Sequence, residues 1–584
     1  MWRMTLTYNG DTNVSNIDSL PQGFESMGYT IKANEKNNNI REFTEKLGFT
    51  ETTRTWIKSK IAADGLDIII ECLIEYLNDF TWTTLIDGIL NIDADSYSED
   101  EFFLKLNVSD SSFNTKLNDR QENEIDYNSK YSIGGLETLG FTNDFTDLVL
   151  TGSDGAGGYE TTTVKCVLLF ELFTKLFQKI TDYGHMLFKS TLFGRTDLSS
   201  NGFNVSYDYA VDGDLSLLLV SKGLLISGIL PNANDSKVAG KTDLVLQFEQ
   251  LFNDLDSKEP LGMAVEWESG LPYIIIERLS YFFKNKQYSF VLTKNEVSNI
   301  SKTLIKKFFN NKISAKSPSI SKDNTEGLSD YTGESSYTSP LESFNNSYEL
   351  NSKYSISPAD IERARKNPVS GRTTDKENFD TDEIIFFIDA YRDGAILKSR
   401  DNVEGFQDVS GVYGTAPLYT NLRIRPTANI ERHKRWWGIG LQKNEGEYLK
   451  FQKSEGLSKV VSQETGSTVI ITDNANILIS NLNPLLTGYE YNMLINLSPE
   501  RLIEFQEYPY HFLKFWDEIN QQWAYGWKRK FSTNPVDGSD TNLQLWEPVD
   551  VTTLLGGYLE FMDSSKGNIE FMDSSKGEIE LMAS

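Results

Sequence analysis

Along much of this chain hydrophobic residues alternate with polar ones, and that alternation predicts strands. In YLEFMDSSKGNIEFMDSSKGEIELMAS (558–584), Leu559 and Phe561 flank Glu560, Ile569 and Phe571 flank Glu570, and Ile579 and Leu581 flank Glu580. A period of two puts the six apolar side chains on one face of short strands and the glutamates on the other. Residues 563–567 and 573–577 have the composition of tight reversals. The repeated unit therefore predicts a small β-meander. Two or three short strands bury too little to be stable alone. The stripe needs a covering surface, either the chain's own body or a neighbouring subunit, and at least part of it is expected to meet another subunit.

The same pattern divides the rest of the chain. Residues 1–130 read as a β-rich domain: LDIIIECLIEYL (66–77) is dense in isoleucine, and the run that follows it has a reversal predicted at Asp87-Gly88. Residues 131–320 read as a mixed α/β domain. There the glycine-rich TGSDGAGGYE (151–160) leads to a long helix expected to start near Thr161, and VKCVLLFELFTKLF (164–177) is read as buried helix. Lys165, Glu171 and Lys175 interrupt that run, which is also too short to span a membrane. Further helices are predicted at 242–255 and 294–310, the latter with Lys302, Lys306 and Lys307 toward its C-terminal end, where the helix dipole favours cations. LPYIIIERLSYFF (271–283) reads as a buried strand or strand pair. Residues 321–378 have a linker's composition, yet Tyr331, Tyr337, Phe344, Tyr348 and Tyr354 argue for an extended segment docked on folded protein. Residues 379–550 form a second β-rich domain, and 551–584 the meander. The fold class is α+β, mainly β and multi-domain, with β-sandwich or barrel-like modules and a few buried helices in the middle region.

Composition narrows the function. The 584 residues carry a net charge of −28, which disfavours stable binding to a polyphosphate. An acidic wall would instead repel DNA passing through a lumen. Tyr, Phe and Trp make up 12% of the chain, which favours strands and aromatic contact surfaces. Cys72 and Cys166 lie in apolar runs and are expected to be buried free thiols, as in a reducing cytoplasm. The opening MWRMTLTYNGDT has no apolar segment of the kind a signal peptide requires.

Candidate chemistry is sparse. His185, His433 and His511 are far apart and lack metal-ligand spacing. GSDGAGGYET lacks the G-K-[ST] ending of a phosphate loop, and DADSYSEDE lacks the glycine of a calcium loop. Carboxylate pairs for glycan hydrolysis leave no sequence signature among 84 acidic residues. RIRPTANIERHKRWWGIG (423–440) is the one basic patch with aromatics. Its Arg423, Arg425, Arg432, Arg435, Trp436 and Trp437 suit a complementary contact with an acidic subunit more than a nucleic acid, since Arg and Trp dominate interface hot spots. Reversing Arg432 and Arg435 is therefore expected to impair assembly and leave the monomer folded.

Four segments in fixed order carry a resemblance: SFNTKLNDRQENEIDY (112–127), MLFKSTLFGRTDL (186–198), IIIERLSYFFKNKQYSF (274–290) running later into SPLESFNNSYELNSKYSISPADIERARK (339–366), and LRIRPTANIERHKRW (422–436). Together they resemble virion proteins of tailed phages of Bacteroidetes, including the crAss-like phages. The resemblance implies a structural, non-enzymatic protein of the tail hub or baseplate with no cofactor, made in the host bacterial cytoplasm and located in the virion tail. Expected partners are copies of itself in a ring and other tail, portal-proximal or fibre proteins. DNA would meet it only in passing, and no stable membrane insertion is expected. The alternatives are a receptor-facing adhesin or fibre-attachment protein and a tail-borne glycan hydrolase. The DSSKG repeat lies outside the shared pattern.

Overall fold

The computed structural model describes residues 2–549, except 17–19, 25–28, 34–38, 44–45, 67, 69, 79–80, 93–96, 111–116, 118–119, 127–130, 134–135, 139–144, 154–158, 182–186, 199–208, 229–243, 269–270, 319–333, 366–380, 400–420, 442–443, 445, 455–458, 465–466, 473–475, 508–510 and 534–540. The repeat at 558–584, with Leu559, Phe561, Ile569, Phe571, Ile579 and Leu581, lies outside the described residues. As the alternation predicts, the chain is mainly β, with several sheets, a small closed barrel and a few helices.

A seven-stranded antiparallel sheet opens the chain. Trp2–Tyr8 lies between Asp11–Asn16 and Ile70–Asn78, and Thr81–Asn91, Leu104–Asp110 and Lys46–Phe49 continue the order. Trp2, Met4 and Leu6 point into the core, whereas Arg3 and Thr5 on the opposite face reach Glu75 at 2.6 and 2.9 Å. The helix Glu51–Asp64 buries Ile57 and ends where Gly65 turns left-handed (φ 90°). The reversal expected at Asp87-Gly88 does not form. Both residues lie inside Thr81–Asn91, paired with Leu73 and Cys72, because the β-branched residues around them keep the strand going.

The barrel consists of Thr146–Ser153, Tyr159–Leu168, Leu218–Lys222, Ile385–Asp393 and Ile396–Ser399, closed by the parallel pair Leu148–Leu397. Its interior packs Leu148, Leu150, Val164, Cys166, Leu219 and Ile388. Both cysteines are buried free thiols. The long helix starts at Leu169 and not near Thr161. The β-branched run Thr161–Thr162–Thr163–Val164 instead extends a strand whose Tyr159 faces Ser153, and helix begins where unbranched Leu169 and Phe170 take over. The helix predicted at 242–255 is shorter, Phe248–Asp256, because Val245–Leu246 pairs with Ile125–Asp126.

The predicted helix at 294–310 is a strand, Val297–Leu304, followed by a 3-10 turn at Lys306–Phe308. Pairing with Leu486–Ile495 overrides the helix-like spacing of Val297, Ile300 and Leu304, through a bulge at which Asn299 has φ 53°. This strand edges an eight-stranded sheet that runs Lys284–Leu292, His511–Asp517, Gln522–Thr533, Thr541–Pro548, Leu486–Ile495 and Val297–Leu304. Tyr29–Ala33 also pairs with Gln522–Thr533, and Asn39–Phe43 pairs with Tyr29–Ala33. One core consequently joins Trp2, Leu6, Cys72 and Leu106 to Phe290, Tyr491, Phe515 and Leu545.

The polar stretch after residue 333 lies extended against folded protein. Glu334–Thr338 and Ser347–Asn351 flank Lys312–Lys316 in a five-stranded sheet. Tyr337 and Tyr354 are buried, and Phe344 stacks on Phe309 at 4.9 Å. The helix Pro358–Arg365 follows. Its Arg365, almost fully buried, pairs with Glu362 at 2.6 Å and with Glu160 of the barrel at 2.7 Å.

Candidate interaction surface

The basic segment folds as a 3-10 turn, Leu422–Ile424, a helix, Pro426–Arg432, and one further turn, Lys434–Trp437. Pro426 suits a first helical position, where no backbone donor is needed. Both tryptophans pack into the protein's own cores. Trp437 is fully buried, donates from Nε1 to the Ile430 carbonyl at 2.7 Å, and joins a cluster with Leu441, Leu449 and Leu482. Trp436 packs against Phe283 at 5.2 Å. An indole placed like Trp437 has no face left for a second chain.

The arginines meet their acids within the same chain. Arg432 lies 3.4 Å from Glu259 and donates to the carbonyls of Lys258 (3.2 Å) and Arg423. Arg278 joins Glu259 (2.8 Å) to Asp214, and this pairing holds the Asp214 carboxyl below its usual range. Arg423 donates to the Asp214 carbonyl and sits 3.5 Å from Asp389. Arg435 donates to the Asn483 carbonyl at 3.1 Å. Burial lowers the affinity of Arg432 for its proton, Glu259 acts the other way, and neighbouring Arg423 and Arg425 add to the lowering. Lys258 is buried behind them, and desolvation pushes it down to about 8 against the pull of Asp254. His433, also buried, bridges the carbonyls of Asn429 (2.8 Å) and Asp256 (2.7 Å). The ensemble is a charge network that fastens the 422–437 segment to Glu259, just before the strand Leu261–Glu268, and to Asp389 in the middle of the barrel strand Ile385–Asp393. Its rim, with Arg278 and Arg423 part-exposed, can accept a further carboxylate.

A second surface was missed in the sequence. Strands His511–Asp517 and Gln522–Thr533 form a hairpin with Trp516 directly opposite Trp523. Their rings meet edge to face at 5.6 Å and 85°. Lys294 lies 5.7 Å from the Trp516 ring, and Lys514 4.8 Å from that of Trp523. The buried Asp517 shapes the turn by accepting from the backbone N–H groups of Ile519 (2.8 Å) and Asn520 (3.3 Å). Trp523 is 44% and Ile519 54% exposed at the tip. The detectable signal was WDEINQQW, two tryptophans flanking a polar turn.

Among the described residues no group of three or more His, Cys, Asp or Glu side chains is placed to hold a metal ion. Among them, too, no helix is long and apolar enough to cross a membrane.

Neither a family model nor a curated protein matches the sequence. Among solved structures the chain is similar to prophage tail protein gp18 from Listeria monocytogenes, at 8% identity and a TM-score of 0.35 over 96% of this chain and 98% of that one. It is also similar to the 43 kDa tail protein of prophage MuSo2 from Shewanella oneidensis, at 8% identity and a TM-score of 0.35 over 95% and 98%. A tail protein from Neisseria meningitidis is similar at 8% identity and a TM-score of 0.33 over 94% and 96%.

Proposed function

We propose that this chain is a structural subunit of a phage tail, seated at the hub or baseplate, that assembles side to side with copies of itself into a ring. The observation that carries the reading is the fixed order of the segments 112–127, 186–198, 274–290 with 339–366, and 422–436, which resemble virion proteins of tailed phages. The architecture supports it. The first and last described strands share one core, and the buried arginines Arg195, through Asp197 and Arg392, and Arg365, through Glu160, tie two helices to the barrel. Such a body resists shear between its parts better than domains strung on linkers. A surface at −28 favours a lumen that DNA traverses without sticking. Neighbouring tail, portal-proximal or fibre proteins are the further partners.

Purified virions test this reading. Quantitative mass spectrometry is expected to find the chain at a fixed copy number per particle, and gold-labelled antibody is expected to decorate the tail end nearest the hub. Absence from particles would overturn the proposal. Release of products from capsule or peptidoglycan by the purified chain would favour a tail-borne hydrolase instead.

A further inference from the structure

We propose that the first unit of the terminal repeat, residues 558–562, adds as an antiparallel strand to the outer edge of Val297–Leu304 in the same chain. The inference goes beyond the ring reading and holds or fails without it.

The edge is regular and uncovered. Val297–Leu304 ends its sheet, and its strand partner among the described residues is Leu486–Ile495. Ser298, Asn299, Ser301, Thr303 and Leu304 are exposed. The bulge at Asn299 disturbs only the first half of the strand. From Ser301 to Leu304 four consecutive residues pair in unbroken register with Asn492 to Tyr489. Edges of this kind are commonly shielded by an outward lysine, a proline or a bulge. Lys302 gives no such shield, because its ammonium turns to Glu547 and Tyr491. The outer side of Ser301–Leu304 can therefore pair a further strand.

The occupant follows from where the chain leaves the sheet. Thr541–Pro548 and Val297–Leu304 are both antiparallel to Leu486–Ile495, so they run the same way. They also end together, with Pro548 opposite Leu486 and Leu304 opposite Tyr489. Val549, the last described residue, still donates to the Leu485 carbonyl at 3.2 Å. A strand added beyond Leu304 lies three strand spacings across and about 10 Å along, roughly 18 Å away in all. Residues 550–557 reach up to about 30 Å when extended. A chain that leaves at this end and returns along the edge has to reverse, and Gly556-Gly557, a pair with turn chemistry, stands directly before Tyr558. The returning strand is then antiparallel to Val297–Leu304.

The side-chain pattern fits the same arrangement. Ile300, Lys302 and Leu304 share one face of the edge strand; Ile300 packs against the core there, and Leu304 is 38% exposed. Ser301 and Thr303 take the other face. With Leu559 opposite Leu304, Phe561 falls toward Ile300 and Glu560 falls opposite Thr303, in water. A tethered segment meets such an edge at an effective concentration on the order of millimolar, which the tail of a second copy does not match in dilute solution.

The test uses the full chain. Chains carrying Thr303→Cys and Glu560→Cys together are made with and without nitrogen-15, mixed, and treated with a short bismaleimide. Both native cysteines are buried and stay unlabelled. Mass spectrometry of the digest should find the two positions joined within one isotope. The control pairs Glu560→Cys with Glu349→Cys, on the edge strand Ser347–Asn351 whose neighbour Asn346 bonds the Lys306 carbonyl, and should not cross-link. A second arm follows amide hydrogen exchange over 297–305. Phe561→Pro, which a paired strand does not accept, should speed exchange there roughly five- to tenfold, the effect of losing one net hydrogen bond. Cross-links between isotopes would overturn pairing within one chain in favour of strand exchange between copies. A cross-link in the control would move the repeat to the other edge and overturn this placement. Exchange left unchanged by Phe561→Pro overturns the inference whatever the cross-links show.

Discussion

Arg195 and Glu171 form a two-point ion pair, with Nη2 2.5 Å from Oε1 and Nη1 2.8 Å from Oε2, and the guanidinium is wholly buried. Glu171 sits on the helix Leu169–Thr181, among buried Leu169, Phe170, Leu172, Phe173, Leu176 and Phe177. Arg195 also reaches Asp197 at 2.9 Å, and Asp197 reaches Arg392 of the barrel at 2.6 Å. The helix is thereby tied to the barrel by charge as well as by packing.

Breaking that pair on one side leaves a buried charge without its partner. Arg195→Met is expected to cost about 3–5 kcal/mol, and Arg195→Met with Glu171→Leu should recover much of the loss. Urea unfolding of the two variants decides it. Equal losses would show that Glu171 is solvated in the folded protein.

Arg432 belongs to the fold before it belongs to any interface. Reversing it to Glu sets a carboxylate beside Glu259 and removes a donor to the carbonyls of Lys258 and Arg423. The monomer itself should weaken by about 1–3 kcal/mol, the scale of hydrogen bonds to charged groups. The expectation of an undisturbed monomer therefore changes for this residue. Adding Glu259→Arg should restore part of the loss, and Arg435→Glu, which gives up a bond to the Asn483 carbonyl, should cost less. Thermal melts of the three variants check the order.

Gly440 is fixed by two constraints at once. Its φ is 84°, and a Cβ there would lie 2.6 Å from the Phe309 ring. Phe309 cannot easily retreat, because Phe344 stacks on it. Gly440→Ala should cost roughly 1–3 kcal/mol. A melting temperature unchanged by the substitution would refute the clash.

Lys258 predicts an alkaline rise in stability. Burial lowers its folded value to about 8, with Asp254 opposing and Arg432 reinforcing the shift, against roughly 10.4 in the unfolded chain. Below pH 8 both states carry the proton and the term is constant. Between the two values the folded state sheds the proton first, the unfolded state binds more, and stability climbs with pH. Lys258→Met should flatten that climb relative to the native chain. Unfolding midpoints at pH 7.5 and pH 10, taken as the difference between the two proteins, measure it.

The strands were legible where one face is buried and the other wet. Trp2, Met4 and Leu6 with Arg3 and Thr5 between them state the rule outright. The sequence misled where local and long-range preferences diverge. Asp87-Gly88 has a turn's chemistry but is held straight by pairing with Leu73 and Cys72. Lys302, Lys306 and Lys307 suggest a helix end, yet Leu486–Ile495 takes Val297–Leu304 as its neighbour. In the basic segment, residue types identified Arg432 and Trp437 as contact-making. The acid facing Arg432 is 173 residues earlier in the same chain, and no spacing rule reaches that far.

The shared core of the opening and closing strands sets a schedule for synthesis. Tyr29–Ala33 leaves the ribosome early, but its partner in Gln522–Thr533 emerges some five hundred residues later. Until then the inward faces of Trp2, Leu6 and Leu106 lack the covering that Tyr491, Phe515 and Leu545 provide. Pairings this distant in sequence form slowly, and waiting apolar surface invites aggregation and chaperone capture. A chain cut before residue 522 would lack the strands that pair with Tyr29–Ala33 and cover Trp2 and Leu6, and its first sheet would keep an apolar face open.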